Sequence, residues 1–240
     1  MEPRAITTLS FGVIGTLIDF ETGIREWFHN HFRDHGRTPE DDAVLVAFAD
    51  SERRLTEAHP ELSFTALLPR IYGDIARAWE LDTDEAAALD LRDSIRNWPA
   101  FGDAINGLRQ MREHYSLIAV TSADYWALEA MSNTLGDPFD LLLAADTLGV
   151  RKPDPAVWQT LIEQSGAPRE AILHCADSQF HDLIGAHRAG LYTARIERHP
   201  EREDGGATPS AKDPVNPDVA VTSLGELIEY LQARNADDEA

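Results

Sequence analysis

Cysteine is almost missing from the 240-residue chain: Cys175 is the one present, which excludes an internal disulfide framework and any Cys-x-x-Cys metal cluster. Lysine is nearly as scarce. Only Lys152 and Lys212 occur, and every other basic side chain is arginine, so a lysine inside the folded part asks for an explanation. Basic residues as a whole are outnumbered, 21 against 42 acidic, giving a net charge of −21. A surface that negative repels phosphate backbones and anionic lipid, so neither nucleic acid nor a membrane is an expected partner. No run approaches the ~20 apolar residues of a membrane span, and the opening MEPRAITTLSF has no basic-then-apolar leader. The expectation is a soluble, cytoplasmic protein.

What is present suffices for a core. Hydrophobic residues make up 43% of the chain, and a chain this long buries about 70% of its unfolded surface on folding. At roughly 150 residues per domain, this is one domain, or one domain with a sizeable insertion. Residues 5–14 (AITTLSFGVI) are short, apolar and β-branched, and end at Gly15-Thr16, as a buried strand leaving into a loop does. From about 22 to 96, four segments carry apolar residues at helical spacing, with no strand among them. After Trp98-Pro99 helices and strands alternate: helix 102–114, strand 116–121, helix 125–135, apolar run 139–145, helix 154–166, strand 171–175, helix 180–189, strand 191–196. Residues 198–217 read as a long loop, 218–221 and 223–234 as a last strand and helix, and NADDEA as an acidic tail. Such alternation predicts an α/β fold with a parallel sheet, the all-helical block being inserted after strand one.

In an open parallel sheet, ligands sit at the carboxyl ends of the strands. Four places supply polar residues there: the first strand's end through Thr16, then Thr121, Ser122 and Asp124, then Arg151 and Lys152, then His174 to Ser178 with His181 and Asp182 opening the next helix. The order FGVIGTLID, IAVTSAD, RKPDP, ADSQFHD resembles the four motifs of the haloacid dehalogenase superfamily. WPAFGDAINGLRQM and ILHCADSQFHDLIGAHRAGL are further similar to its type II 2-haloacid dehalogenases, and the resemblance runs over residues 6–234. It implies a Rossmann-like core from residues 1–20 and 98–240, and a helical cap over 21–97. It also implies a hydrolase acting on a small anionic carboxylate without cofactor or metal, in a subgroup whose members often pair as homodimers.

The chain departs from the motif at its chemical centre. The phase of Gly15-Thr16-Leu17 places the family's attacking aspartate at Gly12, which has no nucleophile, and the phosphatases' second acid at Ile14. A Mg²⁺ phosphatase needs both. The resemblance casts Lys152 as the ammonium that neutralises the nucleophile and intermediate, a task for which a compact charge suits a crowded anionic centre better than a planar guanidinium. It casts Thr121 and Ser122, with the helix start behind them, as holders of a substrate carboxylate. Ile14 and Tyr125 are expected beside the substrate. Asp177 and Asp182 are candidates to orient water; His174 is a candidate base paired with Asp177, or a satisfied core histidine. His181 divides in the same way. Cys175 reads as a small buried hydrophobe, and Asp19 as the hinge of the cap. Cap arginines 25, 53, 54 and 70 are candidates for the leaving group, with Trp27, Tyr72 and Trp98 as apolar wall.

Three accounts of Gly12 stay open at this level: a glycine standing in for a native aspartate, a native glycine whose vacated space holds an attacking water, or a chain that binds an anionic small molecule or a partner without turnover. Loss of a covalent nucleophile typically costs on the order of 10⁴–10⁶ in rate. Returning aspartate to position 12 is therefore expected to restore or raise hydrolysis.

Overall fold

The computed structural model describes residues 5–38, 40–199 and 206–238. The first four residues, part of the 198–217 loop and the end of the NADDEA tail lie outside the described residues. The strands are β1 Thr8–Gly12, β2 Ser116–Val120, β3 Leu141–Leu143, β4 Ile172–Ala176, β5 Tyr192–Ile196 and β6 Val219–Val221. They form one sheet in the order β3-β2-β1-β4-β5-β6, with every pair parallel. Strand order reverses at β1, between β2 and β4. A crevice opens at the carboxyl end of a sheet at such a point, and Gly12 is its last residue.

Between β1 and β2 run α1 Phe20–Asp34, α2 Asp41–Ala58, α3 Phe64–Ala78 and α4 Glu85–Ser94. The rest of the chain adds α5 Ala104–Met111, α6 Tyr125–Thr134, α7 Ala145–Leu148, α8 Pro155–Ser165, α9 Ile184–Arg188 and α10 Leu224–Asp238. All five residues of β1 are buried, as expected of a central parallel strand covered on both faces. Strand alternation sorts the core into two layers. Leu9, Phe11, Leu117, Ala119, Leu173 and Cys175 pack on the side continuous with the helical insertion; Ile118, Val120 and Ile172 pack with Trp158 and Leu161 on the other. The insertion has an aromatic interior, in which Phe28, Phe32, Phe48 and Tyr72 are essentially inaccessible.

The expected elements are present with shifted edges. Strand one stops at Gly12 because the chain turns at once: the Val13 carbonyl accepts from the N–H groups of Thr16, Leu17 and Ile18, and Gly15 takes a positive φ of 79°. The apolar run 139–145 is strand only at Leu141–Leu143 and then turns into α7. The helix expected over 180–189 opens instead as a π-helical turn, Gln179–Leu183, before α9. The chain leaves the sheet region after Asp19 and returns at Pro99, and the two crossings are tied by Asp19 N–H to Pro99 O (2.8 Å) and Phe101 N–H to Leu17 O (2.9 Å). Among the described residues no helix is long and apolar enough to cross a membrane.

The π turn and α9 seat closely on α8. A Cβ on Gly185 would lie 2.1 Å from Nε1 of the fully buried Trp158. Overpacking a rigid core costs about 1–3 kcal/mol. Gly185→Ala is expected to lose stability in that range, read as a lower urea midpoint at unchanged m-value; an unchanged midpoint would mean that Trp158 relaxes freely.

Candidate active site

Gly12 pairs with Val120 across the β1–β2 ladder, and Phe11 with Cys175 across β1–β4. The ends of all three strands therefore lie side by side. From β2 come Thr121 and Ser122, from the loop after α7 comes Lys152, and from the turn after β4 come Ser178, His181 and Asp182. These residues share one cavity, about 40 Å³ in volume, with Ile14, Phe20, Glu52, Phe64, Thr208 and Pro209. That is room for a water or two.

The centre of the site is an ion pair. Lys152 Nζ donates to Asp182 Oδ1 at 2.6 Å and to the Val120 carbonyl at 3.1 Å, with both side chains almost completely buried. Asp182 Oδ1 is also 3.1 Å from His174 Nε2, and His174 Nδ1 is 2.9 Å from Ser10 Oγ. One proton assignment satisfies the chain: the Ser10 hydroxyl donates to Nδ1, and a neutral His174 donates its Nε2–H to the carboxylate. Burial alone would raise the Asp182 carboxyl, but the Lys152 ammonium and the His174 bond outweigh it and hold it well below the usual carboxylate range. Burial, opposed by Asp182, pushes His174 down and keeps it neutral.

Asp182 also fills the ground in front of Gly12. A Cβ at position 12 would lie 3.0 Å from Asp182 Oδ1 and 3.1 Å from the Ala176 Cβ. A side chain at 12 is thus admitted only if Asp182 gives way, and Asp182 is held by two hydrogen bonds. An aspartate at 12 would ask these neighbours to give by a few tenths of an ångström and would stand beside the Asp182 carboxylate.

The other expected residues divide. Lys152, Thr121, Ser122, Ile14 and Asp182 line the cavity. Thr121 Oγ1 accepts from Ala123 N–H, which makes it a local cap, whereas Ser122 Oγ is buried without a hydrogen-bond partner. His174 stands behind Asp182 rather than on the cavity, and its partner is Asp182, not Asp177. Asp177 is not brought to the cavity: its N–H donates to Thr16 Oγ1 and its carboxylate accepts from Arg198 N–H, beneath the turn after β1. Burial raises its carboxyl. Tyr125 is not brought there either, being 38% exposed at the start of α6. Asp177 is taken up by Thr16 and the Arg198 backbone, and Tyr125 opens α6 on the surface. Asp19 caps α1 through Thr22. Cys175 is buried, and burial pushes its thiol up, as befits a core residue.

None of the four candidate arginines of the insertion lines the cavity. Arg53 and Arg54 pair outward with Asp50 and Asp74. The wall is made by Phe20 and Phe64, with Trp98 packed behind them. The traffic between insertion and core runs the other way: buried Arg151 donates to the carbonyls of Thr56, His59 and Pro60 at the end of α2. The charged residue of the insertion that does reach the cavity is Glu52, whose Oε1 meets His181 Nε2 at 3.1 Å. Phe64 N–H, an unsatisfied donor of the first turn of α3, donates to Ser122 O at 2.7 Å.

The chain matches the family model of haloacid dehalogenase-like hydrolases over residues 6–190. It belongs to that family. Among curated relatives it is 29% identical to the (S)-2-haloacid dehalogenase of Pseudomonas sp. strain YL, over 63% of each chain. It is 27% identical to the pyrimidine 5'-nucleotidase YjjG of Escherichia coli K12, over 63% of this chain and 58% of that one, and 23% identical to human haloacid dehalogenase-like hydrolase domain-containing protein 3, over 94% of both. The L-2-haloacid dehalogenase of Xanthobacter autotrophicus with chloropropionic acid covalently bound superimposes with a TM-score of 0.81 at 19% identity, covering 95% of this chain and 98% of that one. The magnesium-bound hydrolase YfnB of Bacillus subtilis gives 0.78 at 17% identity, covering 95% and 100%.

Magnesium does not fit the donor set here. Gly12 offers no carboxylate, and among the described residues no three His, Cys, Asp or Glu side chains are grouped so as to hold a cation.

The sign of the His174 shift sets a pH test. A histidine whose folded-state pKa lies below its unfolded value contributes stability above about pH 6.5, lost as pH falls toward the folded value because the unfolded chain takes the proton first. The limiting slope is about 1.4 kcal/mol per pH unit for one proton. His174→Gln, which keeps a donor toward Asp182, is expected to flatten urea-unfolding stability between pH 7 and 5 relative to the parent. Equal slopes in the two proteins would show that His174 is not held neutral.

Proposed function

We propose that this protein is a metal-independent hydrolase of a small carboxylic acid, acting at C2 of a 2-haloacid or opening an epoxy-acid ring, in the cavity before Gly12. The observation that carries this reading is the meeting of Lys152, Ser122 and Asp182 on one partly open cavity with apolar walls. An ammonium has three protons, and Lys152 directs two at Val120 O and Asp182 Oδ1. The third, with the Ser122 hydroxyl, is available to a substrate carboxylate. Phe20, Phe64 and Ile14 supply the water-poor surface in which such contacts gain strength. At about 40 Å³ the cavity must widen to take such an acid, as it would if α2 and α3, acting as a cap, shifted from the core at Glu52–His181, at Arg151 and at Phe64 N–H.

Phosphate-ester hydrolysis, the activity named for YjjG, is not carried over, since neither Gly12 nor Ile14 can play the acid its position would need. A second reading has its own support. Gly12 offers no attacking group at the end of β1, as expected of a site that binds an anionic small molecule without turning it over.

A panel of 2-chloropropionate, glycidate and p-nitrophenyl phosphate, each with and without Mg²⁺, separates these readings. Halide release or ring opening is expected, unchanged by metal or chelator, with no phosphate ester consumed. Binding without turnover would favour the second reading; Mg²⁺-dependent phosphate release would overturn both. Lys152→Ala is expected to weaken carboxylate binding about tenfold, roughly 1.4 kcal/mol by calorimetry. Unchanged affinity would place the carboxylate elsewhere.

A further inference from the structure

We propose that Asp182 is the attacking carboxylate of this protein, reaching from the π-helical turn into the space that Gly12 leaves empty at the end of β1. This rests on the hydrolase reading above and deepens it by assigning the covalent step.

Three observations lead there. The first is position. Asp182 Oδ1 lies 3.0 Å from where a Cβ of residue 12 would stand. A carboxylate therefore remains at the centre of the site, delivered by a different element. The second is orientation. Both hydrogen bonds given to this carboxylate, from Lys152 Nζ and His174 Nε2, fall on Oδ1. Oδ2 is thus left for a molecule in the cavity that Asp182 lines. The third is support. His174 is itself held by Ser10, its register partner on β1, so the carboxylate is fixed from behind by side chains of two paired strands. Asp182 sits within the π-helical turn Gln179–Leu183, a wider turn of the kind that recurs at functional sites.

The reaction balances without metal or redox partner. With 2-chloropropionate, an Asp182 Oδ2 lone pair forms a bond to C2 as the C2–Cl bond breaks and chloride departs with the bonding pair. The product is an ester of the Asp182 carboxyl. Water then adds to the ester carbon, and the bond from that carbon to the substrate oxygen breaks. 2-Hydroxypropionate leaves, the Asp182 carboxylate is regenerated carrying one oxygen from water, and one proton is released. Glu52 and His181, hydrogen-bonded to each other on the same cavity, are the groups placed to carry that proton. Lys152 stays beside the carboxylate throughout and balances its charge.

Single turnover in H₂¹⁸O, with the unaltered protein in excess over 2-chloropropionate or glycidate, tests the assignment without a variant. The expected result is heavy oxygen in the proteolytic peptide that carries Asp182, with none in the first product released. Heavy oxygen in the product with none in the protein would mean direct attack by water, overturning the assignment while leaving the hydrolase reading intact. Label confined to a peptide carrying Glu52 or Asp177 would overturn it equally. No turnover of any substrate in the panel would instead remove the hydrolase reading on which the assignment rests.

Discussion

A buried ammonium–carboxylate contact, Lys152 to Asp182, is the constraint around which the site is arranged. Two charges withdrawn from water need excellent geometry and further hydrogen bonds to be tolerated. Here both are supplied, by the Val120 carbonyl on the cation and by His174 on the anion. Each supporting group comes from a different strand end, so the pair forms only when β1, β2 and β4 are in register. The sheet's order and the site's electrostatics are two descriptions of one assembly.

Gly12 belongs to that arrangement. A Cβ at position 12 would stand 3.0 Å from Asp182 Oδ1 and 3.1 Å from the Ala176 Cβ, so the glycine leaves the Lys152 pair undisturbed. His174, which holds Asp182 from β4, also packs edge-on against the Trp158 indole, so the support of the carboxylate continues into the core on that face of the sheet.

Much of this was legible in the sequence, and the parts that were not have identifiable reasons. The parallel sheet and the helical insertion followed from periodicity alone. Lys152 stood out by scarcity, and Gly12 by the phase of Gly15-Thr16-Leu17. What the sequence could not give was side-chain bearing. Asp177 and Asp182 are equivalent as letters at a strand end. The π turn between them, which leaves no periodic trace over five residues, sends one into the cavity and lets the other serve the Arg198 loop. Glu52 was hidden differently: one acid among 42, on a helix with ordinary polar spacing, carries no signal until α2 is docked. The arginines drew attention as the expected cations of the insertion, yet the buried cation linking insertion and core is Arg151, which comes from the core.

Seating the insertion by such contacts has a consequence for chemistry. Arg151 binds backbone carbonyls at the end of α2, and Phe64 N–H binds a backbone carbonyl beside the cavity. Backbone partners fix position whatever the side chains around them, whereas Glu52 and His181 meet by side chains alone. The two crossings between sheet and insertion, at Asp19 and Pro99, are likewise tied by a backbone pairing. Insertion and sheet domain are thus joined by contacts to peptide groups together with side-chain contacts such as Thr65–Asp124, and on the cavity Glu52 meets His181 as an acid–base pair.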